Sequence, residues 1–116
     1  MKHFVLALFA AALAWAADVT GTWDMAVEIA GNAGSPTFTL KQDGAKLTGK
    51  YSGALGEADV TGTVEGEKIV MKFTVAPQGD KVEVTYSGVV KADGSMEGKI
   101  DIPGLGDGAF KGSKRK

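Results

Sequence analysis

The stretch Leu47 to Val64, LTGKYSGALGEADVTGTV, reads as two β-strands facing each other across a turn. In its outgoing half Leu47, Gly49, Tyr51 and Gly53 hold alternate positions, with Lys50 and Ser52 between the last three. A period of two is that of a strand with one face on a core and the other in water. The return half repeats it, with Val60, Gly62 and Val64 alternating with Thr61 and Thr63. A two-residue turn at Leu55 and Gly56 sets Tyr51 opposite Val60, Gly49 opposite Gly62 and Leu47 opposite Val64. Both apolar faces then meet on one side.

The same code extends in both directions. Upstream, a first strand is predicted from about Val19 to Ile29, with Val19, Gly21, Trp23, Met25, Val27 and Ile29 inward and Thr20, Thr22, Asp24 and Glu28 outward. A loop from Ala30 to Ser35 leads through Pro36, at a strand's first position, to a second strand with Phe38 and Leu40 inward. Asp43-Gly44 is a type I′ hairpin signal, predicting Leu40 opposite Leu47 and Phe38 opposite Gly49. Downstream, a turn at Gly66-Glu67 sets Val64 opposite Ile69, and the fifth strand presents Ile69, Met71, Phe73 and Val75. Pro77 to Asp80 closes the next hairpin, and the sixth strand presents Val82, Val84, Tyr86, Gly88 and Val90.

At Asp93-Gly94 a two-residue loop would set inward Val90 against outward Glu97 and split the core face. A three-residue loop, Ala92 to Gly94, instead pairs Val90 with Met96, Gly88 with Gly98 and Tyr86 with Ile100. The seventh strand ends at Ile102, a glycine-rich loop covers Pro103 to Asp107, and a short final strand carries Phe110 and Gly112 inward. The expected fold is all-β: an eight-stranded antiparallel up-and-down meander closed into a small β-barrel. Two stacked sheets would need crossed connections, and none is evident. The inward glycines Gly49, Gly62, Gly88, Gly98 and Gly112 permit sharp coiling and leave room for large neighbours.

The beginning of the chain obeys different rules. Lys2 and His3 precede an apolar run from Phe4 to Ala14, which ends in the small-residue pattern Ala14-Trp15-Ala16. This is the form of a cleaved signal peptide, residues 1–16, and the run is too short for a membrane anchor. The expected mature chain, 17–116, is one domain of about 100 residues, exported to the periplasm or the exterior, with no membrane-spanning helix. Having no cysteine, the chain is neither a lipid-anchored lipoprotein nor a disulfide scaffold. Its formal charge of −1, with lysines and carboxylates interspersed, gives none of the basic field that nucleic-acid binding requires. The basic cluster Lys111, Lys114, Arg115 and Lys116 is confined to the terminus.

Gly21-Thr22-Trp23, followed by Leu47-Thr48-Gly49-Lys50-Tyr51 and Val60-Thr61-Gly62-Thr63-Val64, resembles the calycins, the lipocalin and avidin type of small barrel. The resemblance implies that Trp23 plugs the closed end and that Arg115, the only arginine, packs across it through a cation–π contact. Avidins line their biotin site with several tryptophans, whereas the mature chain has Trp23 alone, which argues against biotin. The chain is also shorter than a typical lipocalin and lacks its terminal helix. In outline it is similar to an uncharacterised group of small secreted bacterial domains that begin on a GTW motif, a likeness that implies no particular activity.

Removal of the leader takes away His3, the only histidine, so Ser-His and Cys-His catalysis and zinc sites of ordinary ligand type are excluded. Twelve carboxylates, among them Asp24, Glu28, Asp59 and Glu83, fall on turns or outward faces and make no glycosidase pair. Asp93-Gly94-Ser95 with Glu97, and Asp101 with Asp107, offer oxygen ligands but not an EF-hand loop, and ordinary turn chemistry accounts for them. Gly104-Leu105-Gly106-Asp107-Gly108 lacks the strand-to-helix context of a dinucleotide loop. No enzyme, cofactor, metal or homo-oligomer is predicted.

What remains is the inward set Trp23, Met25, Phe38, Tyr51, Met71, Phe73, Tyr86 and Met96 among the inward glycines. Either it surrounds a cavity for a small hydrophobic molecule, with the tyrosine hydroxyls as its polar contacts, or it fills the barrel. The first alternative is a carrier; the second is a structural or interaction module acting through outer faces, loops or strand edges. A membrane barrel would invert the faces, but the aromatic girdles it needs are missing.

Overall fold

The computed structural model describes residues 18–76 and 79–115. The predicted leader, Pro77 and Lys116 lie outside the described residues. Among the described residues nine strands form one antiparallel sheet: β1 Gly21–Ile29, β2 Asn32–Gly34, β3 Thr37–Asp43, β4 Lys46–Gly53, β5 Gly56–Glu65, β6 Lys68–Val75, β7 Val82–Val90, β8 Met96–Ile102 and β9 Gly106–Lys114. From β3 to β9 each strand pairs with the next, and β1 pairs with both β3 and β9. That last pairing closes the barrel.

The strand additional to the predicted eight is β2, in the stretch read from sequence as the loop Ala30 to Ser35. It folds back on β1 through a turn whose central residues, Ala30 and Gly31, both have positive φ, 51° and 85°, as a type I′ hairpin requires. Asn-Gly usually signals such a turn; Ala-Gly gives much less warning. β2 and β3 pair with β1 in one continuous register, Ile29 with Asn32 through Gly21 with Leu40. They are one strand interrupted at Pro36, which has no N–H to donate, although its carbonyl still accepts from the Met25 N–H at 3.0 Å. The barrel is therefore eight-stranded, as the periodicity implies.

Two hairpins pair two residues out of the predicted register. Between β4 and β5 the turn is Ala54-Leu55, so Tyr51 faces Ala58, Gly49 faces Val60 and Leu47 faces Gly62. Gly56, read as a turn residue, is instead the first residue of β5. Between β3 and β4 the turn is Gly44-Ala45, with Phe38 opposite Tyr51 and Leu40 opposite Gly49. There Gly44, at φ 63°, takes the first central position, as in a type II′ turn. A two-residue slide leaves every side chain on its own face, so alternation cannot detect it. The other predicted pairings stand: Val64 faces Ile69, Val90 faces Met96, Gly88 faces Gly98 and Tyr86 faces Ile100. Gly94, at φ 90°, closes the three-residue loop.

The inward face is the core. Trp23, Phe38, Leu47, Val60, Ile69, Met71, Val84, Met96 and Ile100 are all at most 2% exposed, and no polar or charged side chain is buried among the described residues. The inward glycines turn out to be contact points between adjacent strands. A β-carbon on Gly49 would fall on the Thr39 carbonyl oxygen, one on Gly62 on that of Val70, and one on Gly98 on that of Ser87. These glycines let the neighbouring backbone press close enough for a tightly coiled wall.

Candidate functional site

The two ends of the barrel differ. At one end lie the start of β1, the end of β9 and the turns at 44–45, 66–67 and 92–94. Here Val19, fully buried, caps the core, and the Trp23 indole N–H donates to its carbonyl at 2.9 Å. The Val19 N–H donates to the Gln42 side-chain oxygen at 2.9 Å, and the Gln42 amide donates to the Gly44 carbonyl at 3.0 Å. This end is sealed by Val19 and Trp23.

Arg115 does not cross the tryptophan. Its guanidinium makes a bidentate pair with Asp24 on the outer face, at 2.8 and 3.0 Å, and its backbone N–H donates to the Thr22 carbonyl at 2.7 Å. The parity of β1 explains this: Asp24 is outward where Trp23 is inward, and the cross-strand partner of Trp23 is Lys114. The methylenes of Lys114 lie over Gly21.

All eight sequence-predicted site residues point inward and are at most 3% exposed. They fill the middle of the barrel. Tyr51 stacks on Phe73 with centroids 4.1 Å apart, and Phe38 meets Tyr51, Phe73 and Tyr86 at 5.3, 5.8 and 5.1 Å. Tyr86 continues the cluster to Phe110 at 4.9 Å. Of the eight, Tyr51 and Tyr86 line open space at the core's edge, and Phe73 borders a shallow concavity shared with the outward residues Asp59, Thr61, Lys72 and Glu83.

That space lies at the opposite end, among the turns at 30–31, 54–55 and 103–105 and the loop after Val75. The β3–β4 ladder stops at Thr37 and Ser52, and beyond it β2 pairs with β1 alone. With the strands parted at Pro36, a cavity of about 200 Å³ opens between β2 and the β4–β5 turn. Its walls include Ile29, Pro36, Leu55 and Leu105, with Tyr51 and Tyr86 at its floor. A second cavity, about 340 Å³, adjoins it across Leu55 and Leu105 and reaches Val75, Asp80, Val82 and Pro103. Leu105, at 55% exposed, is the most exposed large apolar side chain among the described residues. Proline and glycine put it there: Pro103 and Gly104, the latter at φ 84°, form a type II turn in which the Leu105 N–H donates to the Ile102 carbonyl at 3.0 Å.

Burial pushes the Tyr51 phenol up from its ordinary pKa against a weaker opposing hydrogen bond from the Leu55 backbone. Burial also raises Tyr86, with a further push from Tyr51 beside it. Both hydroxyls stay protonated at neutral pH and available as donors.

Elsewhere the chemistry is that of surface and turns. Asp93 accepts from the Ser95 N–H at 2.9 Å and the Ser95 hydroxyl at 2.6 Å, and Glu97 pairs with Lys91 at 3.3 Å. Asp101 and Asp107 are cross-strand partners on the outer face. Among the described residues no three carboxylate or histidine side chains converge as a metal site would need. An open trough of about 660 Å³ lies on the outer face between Glu28, Ser87, Lys99 and Asp107, whose polar side chains are already solvated. The rim cavities bring apolar walls and buried donors together, which the trough does not.

Sequence periodicity found the two tyrosines and missed Pro36, Leu55 and Leu105. The available signal was a leucine in each of two turns otherwise made of small residues, Ala54-Leu55-Gly56 and Gly104-Leu105-Gly106. No protein-family model and no curated protein matches this chain.

Proposed function

We propose that this chain is an exported, calycin-like, non-enzymatic barrel that binds a small apolar molecule at its open rim. The observation that carries the reading is the apolar cavity floored by Tyr51 and Tyr86, opening where the strands part at Pro36. Small-molecule sites combine apolar walls with a few placed polar groups, and this end of the barrel has both. The seat moves from the interior, where the sequence suggested it, to the rim, because the aromatic cluster occupies the middle.

The filled middle also favours a second reading, a module that engages another protein through the same rim with Leu105 as its anchor. Native mass spectrometry of the protein purified from its source separates the two. A carrier shows a small adduct that Leu55→Asp abolishes while the fold, followed by circular dichroism, persists. Protein that arrives without a small adduct, and whose Leu55 and Leu105 methyl resonances are unmoved by apolar fragments, refutes the carrier.

A further inference from the structure

Building on the rim site just proposed, we propose that the cavity selects a neutral molecule carrying a hydrogen-bond acceptor, such as a small ketone or ester, and that Tyr51 and Tyr86 determine that selectivity. Both side chains are almost wholly buried, at 3% and 2% exposed, and among the described residues neither hydroxyl donates to a protein acceptor. No buried side-chain polar atom among the described residues lacks a partner, so each hydroxyl keeps some contact with water; an apolar occupant would strip that water without replacing it, whereas an oxygen acceptor in the cavity takes its place. With both phenols held protonated by burial, the floor offers O–H donors at neutral pH.

Charge narrows the class further. Among the described residues no charged side chain lines the smaller cavity, and the only one lining the larger is the Asp80 carboxylate. An anion or a cation entering the smaller cavity would lose its water with no opposite charge to meet it. Size points the same way. About 200 Å³ lies below the roughly 300–1,000 Å³ typical of sites for drug-sized ligands, so the occupant is a compact molecule.

Four molecules of nearly one shape test this: cumene, acetophenone, benzoate and benzamidine. Each is titrated into isotopically labelled mature protein at neutral pH while the Leu55 and Leu105 methyl resonances are followed. The expected order puts acetophenone about 3- to 10-fold tighter than cumene, the range of one net neutral hydrogen bond, with both ions weakest. Tyr86→Phe should bring acetophenone down to the level of cumene without weakening cumene, and Tyr51→Phe provides the same comparison should the first variant fold poorly. Equal binding of cumene and acetophenone by the unmodified protein, or tightest binding of either ion, overturns the acceptor selectivity but leaves the rim as the seat. A protein in which no probe moves the rim methyls overturns the seat itself.

Discussion

Gly49 and Gly34 are both inward-facing strand glycines, and they differ in what a methyl group would strike. At Gly49 it would meet the Thr39 carbonyl oxygen, a backbone atom held by the β3–β4 ladder; at Gly34 it would meet only a Val27 methyl, at 3.2 Å. Backbone cannot yield without breaking its own hydrogen bonds, whereas a side chain can turn. Gly49→Ala, and likewise Gly62→Ala against the Val70 carbonyl, should therefore cost about 1–3 kcal/mol or more in urea unfolding. Gly34→Ala should lie within about 1 kcal/mol of wild type, because lost chain entropy in the unfolded state offsets the crowding. A Gly49→Ala protein as stable as wild type would mean that the strands do not approach as closely as described. At the outer face, Arg115 lowers the Asp24 pKa from its ordinary value of 3.8, chiefly through their hydrogen bonds. A carboxylate depressed on folding adds stability that is present above its unfolded pKa and lost as pH falls through the folded value. Carboxyl NMR titration should place the Asp24 midpoint below 3.8, and Arg115→Gln should return it towards that value. Both side chains are more than half exposed, so the effect on overall stability is small.

Among the elements, the β1–β2 hairpin is the one whose sequence fits its turn least well. Ala30 sits at φ 51°, where a β-carbon crowds the following carbonyl, and an alanine there costs about 1 kcal/mol that glycine or asparagine would largely avoid. Ala30→Asn should raise stability by about 0.5–1 kcal/mol with an unchanged denaturant slope, and a loss of stability would refute the left-handed turn. The same hairpin marks the limit of what alternation makes legible. Facing is fully legible, since each predicted inward position from Val19 to Phe110 that carries a large side chain points to the core. Pairing is legible only where a charge or face conflict fixes it, as at Glu65-Lys68 and at Val90-Met96. At Asp43-Gly44 and Leu55-Gly56 nothing in the alternation distinguishes registers two residues apart. The backbone settles them through Gly44 at φ 63° and through Gly56 opening β5 at φ 114°.

For the molecule as a whole, closure determines both the stability of the wall and the position of the candidate site. The interior is legible in the sequence as a set of side chains but not as a volume, because whether Tyr51, Phe73 and Phe38 leave a void depends on how they stack, which alternation does not report. The site depends on a local lapse in closure, where Pro36 ends the ladder and β2 has no neighbour except β1. Everywhere between Gly108 and Gly112 the wall is complete: each of these β9 residues has a partner on β8 and another on β1. In an antiparallel ladder successive residues bond alternately to one neighbour and the other, so a strand inside a closed wall has both alternating sets of amides engaged. A strand at the edge of an open sheet would have one set engaged and the other facing water. Amide hydrogen exchange distinguishes the two. In the barrel the amides of Ala109, Phe110, Lys111 and Gly112 should all exchange slowly, with protection on the order of 10³ or more, as for groups released only by global opening. In an open meander either Ala109 and Lys111 or Phe110 and Gly112 would exchange close to the rate of free peptide. That alternating pattern would refute the β1–β9 seam.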